Sequence, residues 1–253
     1  MPGRIVANCF ELPHTAYELQ VACVQARSSQ HAADAGACQL KCERGDHVNN
    51  IARVRRDNAQ MIVQPITLTG QSVRLEPLHL NHVAALARAG LHPELWRLQP
   101  ALIATEGDMR NYVQTALADQ QSGSGLPFVV VDTQTDQIIG STRYMDIALA
   151  HFRLEIGATW LTPTHQRSRA NTEAKLLLLG HAFESLGIRR VVFKTELQNE
   201  QSRKALTRIG AVQEGTFRQH LYTTSGRARD MVYFSILIDE WPRVKAALMD
   251  RLV

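Results

Sequence analysis

The amino-acid sequence predicts an α/β or α+β domain whose sheet is part parallel and part antiparallel. Strand-like stretches of alternating apolar and polar residues begin near residue 66 and recur to the end of the chain. Helix-like stretches separate them, stopped by glycines such as Gly187 and Gly210. Strands and helices are interleaved rather than grouped apart, the order expected when helices cover a mixed sheet.

The elements follow in order. Residues 66–76 alternate as a strand, and 79–89 form a helix opening at His79 to Asn81. Residues 92–98 and 106–121 are further helices, and Gln-Ser-Gly-Ser-Gly at 121–125 is a flexible connector. The run PFVVVD at 127–132 is a short buried strand, with a hairpin partner at 137–145 across a Thr-Gln-Thr-Asp turn. Residues 151–161 are a strand, and 171–186 a helix ended by Gly187. A strand at 190–196 and a helix at 199–208 come next. Two long strands flank Ser225-Gly226, and a final helix after Asp239 tolerates Pro242 in its first turn.

A chain of 253 residues, 45% hydrophobic and 21% charged, is long enough to bury a sizeable core. A net charge of +4 suits an anionic ligand, but the basic residues are scattered and make no nucleic-acid motif. No apolar run is long enough for a membrane span, and the N-terminus lacks the apolar block of a secretory signal. All four cysteines fall within the first 42 residues, so the remainder uses no disulfides, and a cytoplasmic protein is expected. Cys38-x3-Cys42, with His31 and His47 nearby, lacks the paired spacing of a zinc site, and no metal is expected.

Residues 1–60 show little sustained periodicity. A disordered tail or an artefact of start-codon choice is favoured over a small extra module, and Met61 is expected to begin the functional domain, 61–253. A shortened chain of residues 61–253 should fold and act alone; its failure to do so would refute that boundary.

Two stretches carry chemistry. On the strand HFRLEIGATWL, strict alternation puts Phe152, Leu154, Ile156, Ala158 and Trp160 on one apolar face. Glu155 lies on the other face beside Gly157, which leaves room for a ligand against the sheet. A cross-strand pair with Arg153 or Arg143 is the competing reading of Glu155. The connector HQRSRANTEAK then enters a helix, with Asn171-Thr172 suited to its cap. First-turn amides make an anion site, and Arg167 and Arg169 add charge where glycine is absent. Solvated arginines on an exposed turn are the alternative.

Five stretches in order, TLTGQSVRLEPL, LEIGATWLTP, QRSRANTEAKLLLLGHAFESLG, VVFKTELQNEQSRKALTRIGA and EGTFRQHLYTTSGRARDMVYFSIL, span nearly all of residues 66–238. Together they resemble the GNAT N-acetyltransferase superfamily, in the branch of the ribosomal-protein N-terminal (alanine/serine) acetyltransferases. The resemblance implies a largely antiparallel seven-stranded sheet flanked by helices, splayed between strands four and five to admit acetyl-CoA as cosubstrate. It implies an enzyme, a soluble monomer or homodimer, acetylating a primary amine on a protein N-terminus or small molecule by direct attack.

By the same likeness Glu155 is the general base, and Ser202 donates to the leaving sulfur. The backbone at Trp160 and Leu161 pairs with the pantetheine arm. Gln166, Arg167, Arg169, Ala170, Asn171 and Thr172 form the pyrophosphate cradle, Asn199 and Ser202 meet the pantetheine end, and Trp96, His220 and Tyr222 border the acceptor. Arg169 and Asn171 stand where the family motif has small residues, and Ala205-Leu206 replaces a tyrosine that many members use as acid. A catalytically silent CoA-binding or ribosome-associated module is the competing expectation.

Overall fold

The computed structural model describes residues 63–253. The expectations for residues 1–60, including the cysteine-rich segment, lie outside the described residues.

Among the described residues eight strands form one sheet: β1 (Leu68–Thr69), β2 (Val73–Pro77), β3 (Leu126–Asp132), β4 (Ile138–Ala148), β5 (Arg153–Leu161), β6 (Arg190–Glu196), β7 (Val212–Tyr222) and β8 (Ala228–Leu237). Their order across the sheet is β1-β2-β3-β4-β5-β6-β8-β7. Every neighbouring pair is antiparallel except β5 and β6, which run parallel. The helices are α1 (Val83–Gly90), α2 (Pro93–Trp96), α3 (Glu106–Gln121), α4 (Arg169–Gly180), α5 (Glu200–Arg208) and α6 (Trp241–Asp250). None among the described residues is long and apolar enough to cross a membrane.

The strand expected at 66–76 is broken in two, so the sheet has eight strands rather than seven. The cause is a turn at residues 70–72, stabilised from a distance by Glu173. Its carboxylate accepts hydrogen bonds from the amides of Gln71 (2.7 Å), Ser72 (2.7 Å) and Val73 (2.9 Å). Gly70 makes this possible, because a Cβ there would lie 2.5 Å from the Glu173 carboxyl carbon. A helix residue about a hundred positions downstream thus bends the first strand and ties it to α4.

β3 shows why the sheet needs helices on both faces. Phe128 and Val130 face one core with Leu154, Leu178 and Trp241, while Val129 and Val131 face the other with Leu86, Met109 and Val113. Continuous apolarity on a short strand reflects burial on both sides. Helices α4 and α6 cover the first face, and α1 and α3 the second. Thr105 caps α3 reciprocally with Asp108, so this helix starts at residue 106 as its sequence predicts.

The largest departure from the expected pattern is in β5. Ala158 has φ of 47°, and the register slips between Ser141–Trp160 and Arg143–Gly157. This bulge inserts one residue and inverts the alternation beyond it. Leu154 and Ile156 face the α4 side, whereas Trp160 packs in the α1–α3 core, tilted against Trp96 at 5.5 Å between rings. Trp160 therefore does not share a face with Leu154 and Ile156. Tyr112 braces the bulge, donating to the Ala158 carbonyl at 3.4 Å and accepting from Trp160 Nε1 at 3.2 Å.

Candidate active site

β5 and β6 pair through only three residue couples, Arg153–Arg190, Leu154–Val191 and Glu155–Val192. Beyond them β5 stays with β4 as far as Leu161, while β6 stays with β8 as far as Glu196. Residues 156–161 and 193–196 therefore present facing edges, with no strand of the described residues between them. The splay expected between strands four and five falls here, between the fifth and sixth in chain order because the first strand is divided. Glu155 belongs to the last pair before the strands part.

Glu155 is 5% exposed, and its partner is neither Arg153 nor Arg143 but Lys194 on β6. Lys194 Nζ lies 2.7 Å from Glu155 Oε2 as an ion pair off the line of a hydrogen bond, and 2.6 Å from Asp146 Oδ2 as a true one. Burial pushes the Glu155 carboxyl above the usual range, with Lys194 opposing the shift only in part. Asp146, hydrogen-bonded by Lys194, is held below that range. Lys194 itself loses hydration, yet the two carboxylates keep it protonated. Two acids around one ammonium are thereby pushed apart, and the buried one becomes a base closer to neutrality.

The space beside Gly157 is not open as its sequence suggests. A Cβ there would meet Met145 Sδ at 2.8 Å and Glu155 Oε1 at 2.9 Å. Gly157 makes room for the carboxylate itself.

Next to Lys194, across the β6–β8 pairing, is Tyr233 on β8. Its hydroxyl meets His220 Nε2 at 2.7 Å, and Phe217 packs on its ring at 4.6 Å. His220 on β7 thus joins a row running from Asp146 through Lys194 to Tyr233. Tyr222 is exposed, its hydroxyl 3.5 Å from Gln219. Trp96 is buried at 4% exposure, with its indole N–H taken by the Gly90 carbonyl at 2.7 Å. It supports the α1–α3 core rather than presenting a surface. Residues 98–100 are strapped to the β7–β8 hairpin by Arg229 to the Leu98 carbonyl (2.9 Å) and Thr224 N to the Pro100 carbonyl (3.0 Å).

The connector after β5 begins its helix two residues earlier than its sequence suggests. Ser168, not Asn171 or Thr172, is the N-cap, and its hydroxyl accepts from Ala170 N. An αL residue, Arg167 (φ 59°), precedes it and turns the chain so that Ser168 meets the helix start. The first-turn amides belong to Arg169, Ala170 and Asn171, with only that of Ala170 taken by the cap. Gln166 Nε2 reaches the Leu161 carbonyl at 3.3 Å, closing the connector onto the end of β5.

Arg169 is already engaged, donating to the carbonyls of Leu252 (2.8 Å) and Val253 (3.0 Å). Of the two connector arginines, Arg167 is the one whose guanidinium has no hydrogen-bond or ion-pair partner among the described residues. Arg167→Gly should therefore do two opposite things. Relief of the left-handed backbone is expected to stabilise the fold by about 1 kcal/mol. Loss of the charge is expected to weaken CoA binding at low salt, with the difference fading at high salt. Paired melting and binding measurements check both, and unchanged CoA affinity at low salt would remove Arg167 from the anion site.

Asn199 caps α5, its Oδ1 accepting from Ser202 N at 3.0 Å, which places Ser202 in the first turn. Ser202 Oγ has no hydrogen-bond partner among the described residues. Sequence reading missed Lys194 and Asp146. A signal existed for Lys194, the one charge in the run VVFKT, but which carboxylate it meets depends on strand order.

The acetyltransferase (GNAT) domain family matches residues 72–212 of this chain. A ribosomal-protein-serine acetyltransferase of Escherichia coli (strain K12) is 29% identical over 153 residues, 59% of this chain and 84% of that protein. The crystal structure of a GCN5-related N-acetyltransferase from Brucella melitensis superposes with a TM-score of 0.70 at 32% identity, covering 76% of this chain and 87% of that one. RimJ from Mycobacterium smegmatis, solved in complex with CoA-disulfide, superposes with a TM-score of 0.64 at 22% identity over 74% of this chain and 95% of its own, a likeness of fold alone. With more than half of its residues matched, the chain belongs to the GNAT acetyltransferase family, enzymes that take acetyl-CoA as cosubstrate.

Proposed function

We propose that the chain acetylates the primary amine of a protein N-terminus, with Glu155 as general base at the vertex of the β5–β6 wedge. The observation that carries this reading is the coincidence of two features. A buried carboxylate of raised pKa occupies the last paired position, and the strands part immediately beyond it.

The residues fit acetyl-CoA. Its diphosphate suits the unpaired first-turn amides of α4, with Arg167 beside them. Its amide-bearing arm suits the open edge of β5 at Trp160 and Leu161, which can pair as an added strand would. The cosubstrate supplies an activated acetyl thioester. Glu155 takes the proton of the attacking amine, through a water, as the nitrogen–carbon bond forms. The carbon–sulfur bond breaks, and the Ser202 hydroxyl donates a hydrogen bond to the departing sulfur. Asp146 holds Lys194 in place, so that Glu155 has a cationic neighbour once it ionises.

His220, Tyr233 and Phe217 line the β7–β8 side of the row, and Tyr222 lies further out on the exposed strand. This broad strand surface favours an extended peptide over a small amine. The name of the Escherichia coli relative points the same way.

Thiol release from acetyl-CoA, measured over a panel of peptides and small amines, tests the proposal. Turnover is expected on peptides with a free α-amine and not on the same peptides N-acetylated. Turnover confined to small amines would overturn the peptide acceptor. Binding of CoA without turnover on any amine would favour a silent module.

A further inference from the structure

We infer that Lys175 is a cofactor-contacting residue, whose amine donates hydrogen bonds to a carbonyl of the amide-bearing arm of acetyl-CoA. This rests on the wedge being the acetyl-CoA site. Lys175 projects from the second turn of α4 and is 5% exposed. Its Nζ donates to Thr159 Oγ1 at 2.8 Å and lies 5.9 Å from the centre of the Phe193 ring. Thr159 belongs to the open stretch of β5 and Phe193 to the open stretch of β6. The amine therefore sits between the parted strands.

Its hydrogen bonding is incomplete there. An ammonium carries three donors, and Thr159 Oγ1, itself 2.7 Å from Thr142 Oγ1, satisfies one. No carboxylate pairs with Lys175 among the described residues, and burial draws its pKa down to about 7. A buried amine with unfilled donors is costly unless something completes it.

The acceptor it fits is a neutral carbonyl rather than the diphosphate. Lys175 follows Ala170 by five residues, about 7.5 Å further along the helix axis at 1.5 Å per residue. That is the depth at which an extended arm would continue after its diphosphate rested on the first-turn amides. A purely structural role, pinning the bulged strand through Thr159, is the alternative, and it predicts no preference between ligands with and without the arm.

Calorimetric titration of the full chain with CoA and with 3′-phospho-ADP, which lacks the arm, separates these roles. Lys175→Met is expected to weaken CoA about tenfold while leaving 3′-phospho-ADP within about twofold. Lys175→Gln, which keeps a donor, should lose less. In the unsubstituted chain, isotope-labelled Lys175 should show a side-chain NMR shift with CoA and none with 3′-phospho-ADP, a readout that needs no variant to fold. Equal losses for both ligands, unchanged CoA affinity, or a lysine signal indifferent to CoA would overturn the inference. If the unsubstituted chain binds no CoA at all, the acetyltransferase reading falls with it; if it binds CoA and only Lys175 proves indifferent, that reading stands.

Discussion

Glu155→Gln should lower kcat by about 10²- to 10⁴-fold, the range for removing a general base, while CoA still binds. Glutamine preserves the shape beside Gly157 and Met145 but cannot accept the proton of the incoming amine. The pH profile gives the sharper readout. Only ionised Glu155 can act as base, so activity should rise with pH through its pKa. Burial places that rise above the ordinary carboxylate range. The variant should lose this limb. Because Lys194 partly opposes the upward shift, Lys194→Met should move the limb to still higher pH. Full turnover by Glu155→Gln across the pH range would end the assignment.

Glu173→Ala is expected to destabilise the domain by about 3–5 kcal/mol. Three backbone amides lose a charged acceptor at once, and each such bond contributes about 1.5–3 kcal/mol before relaxation and water recover a part. In a domain of this size that corresponds to a fall of about 10 °C in Tm. Gly70→Ala should reproduce much of the effect by a different route, since its methyl group would collide with the Glu173 carboxyl. The loss should extend to CoA affinity, because Glu173 lies on the same helix as the first-turn amides and ties it to the edge of the sheet. A change below about 1 kcal/mol in thermal or chemical unfolding would mean that water replaces the carboxylate at little cost.

Much of the fold was legible because local chemistry and burial agree. PFVVVD is a strand buried on both faces, and Thr105 and Asp108 start α3 where the pattern begins. The helix expected at 199–208 forms there as α5, with Asn199 as its cap. The misread positions are those where a non-local contact overrides a local preference. An unbroken strand at 66–76 looks reasonable until Glu173 reaches back to bend it. The bulge at Ala158 has no compositional mark, since alanine is an ordinary strand residue and the αL conformation is imposed by Tyr112 and the β4 register. It alone sends Trp160 to the opposite core. Ser168 competes with Asn171 and Thr172 as cap, and the choice is made by the turn at Arg167.

The candidate site divides in the same way. Glu155 and the connector stand out locally, as a carboxylate on the polar face of a strand and a basic run before a helix. Lys194, Asp146 and Tyr233 do not, because they reach Glu155 only through the order β4-β5-β6-β8. Lys175 hides for a related reason. In an apolar helix it reads as a surface lysine, and its burial follows from strands that part beneath it.

Seating of acetyl-CoA between β5 and β6 is tested most directly by amide hydrogen exchange of the full chain with and without CoA. Exchange should slow at residues 156–161 and 193–196, the edges left open by the splay, and at 169–172 where α4 begins. A chain that binds CoA with unchanged exchange along both of those edges would contradict the wedge as its binding site.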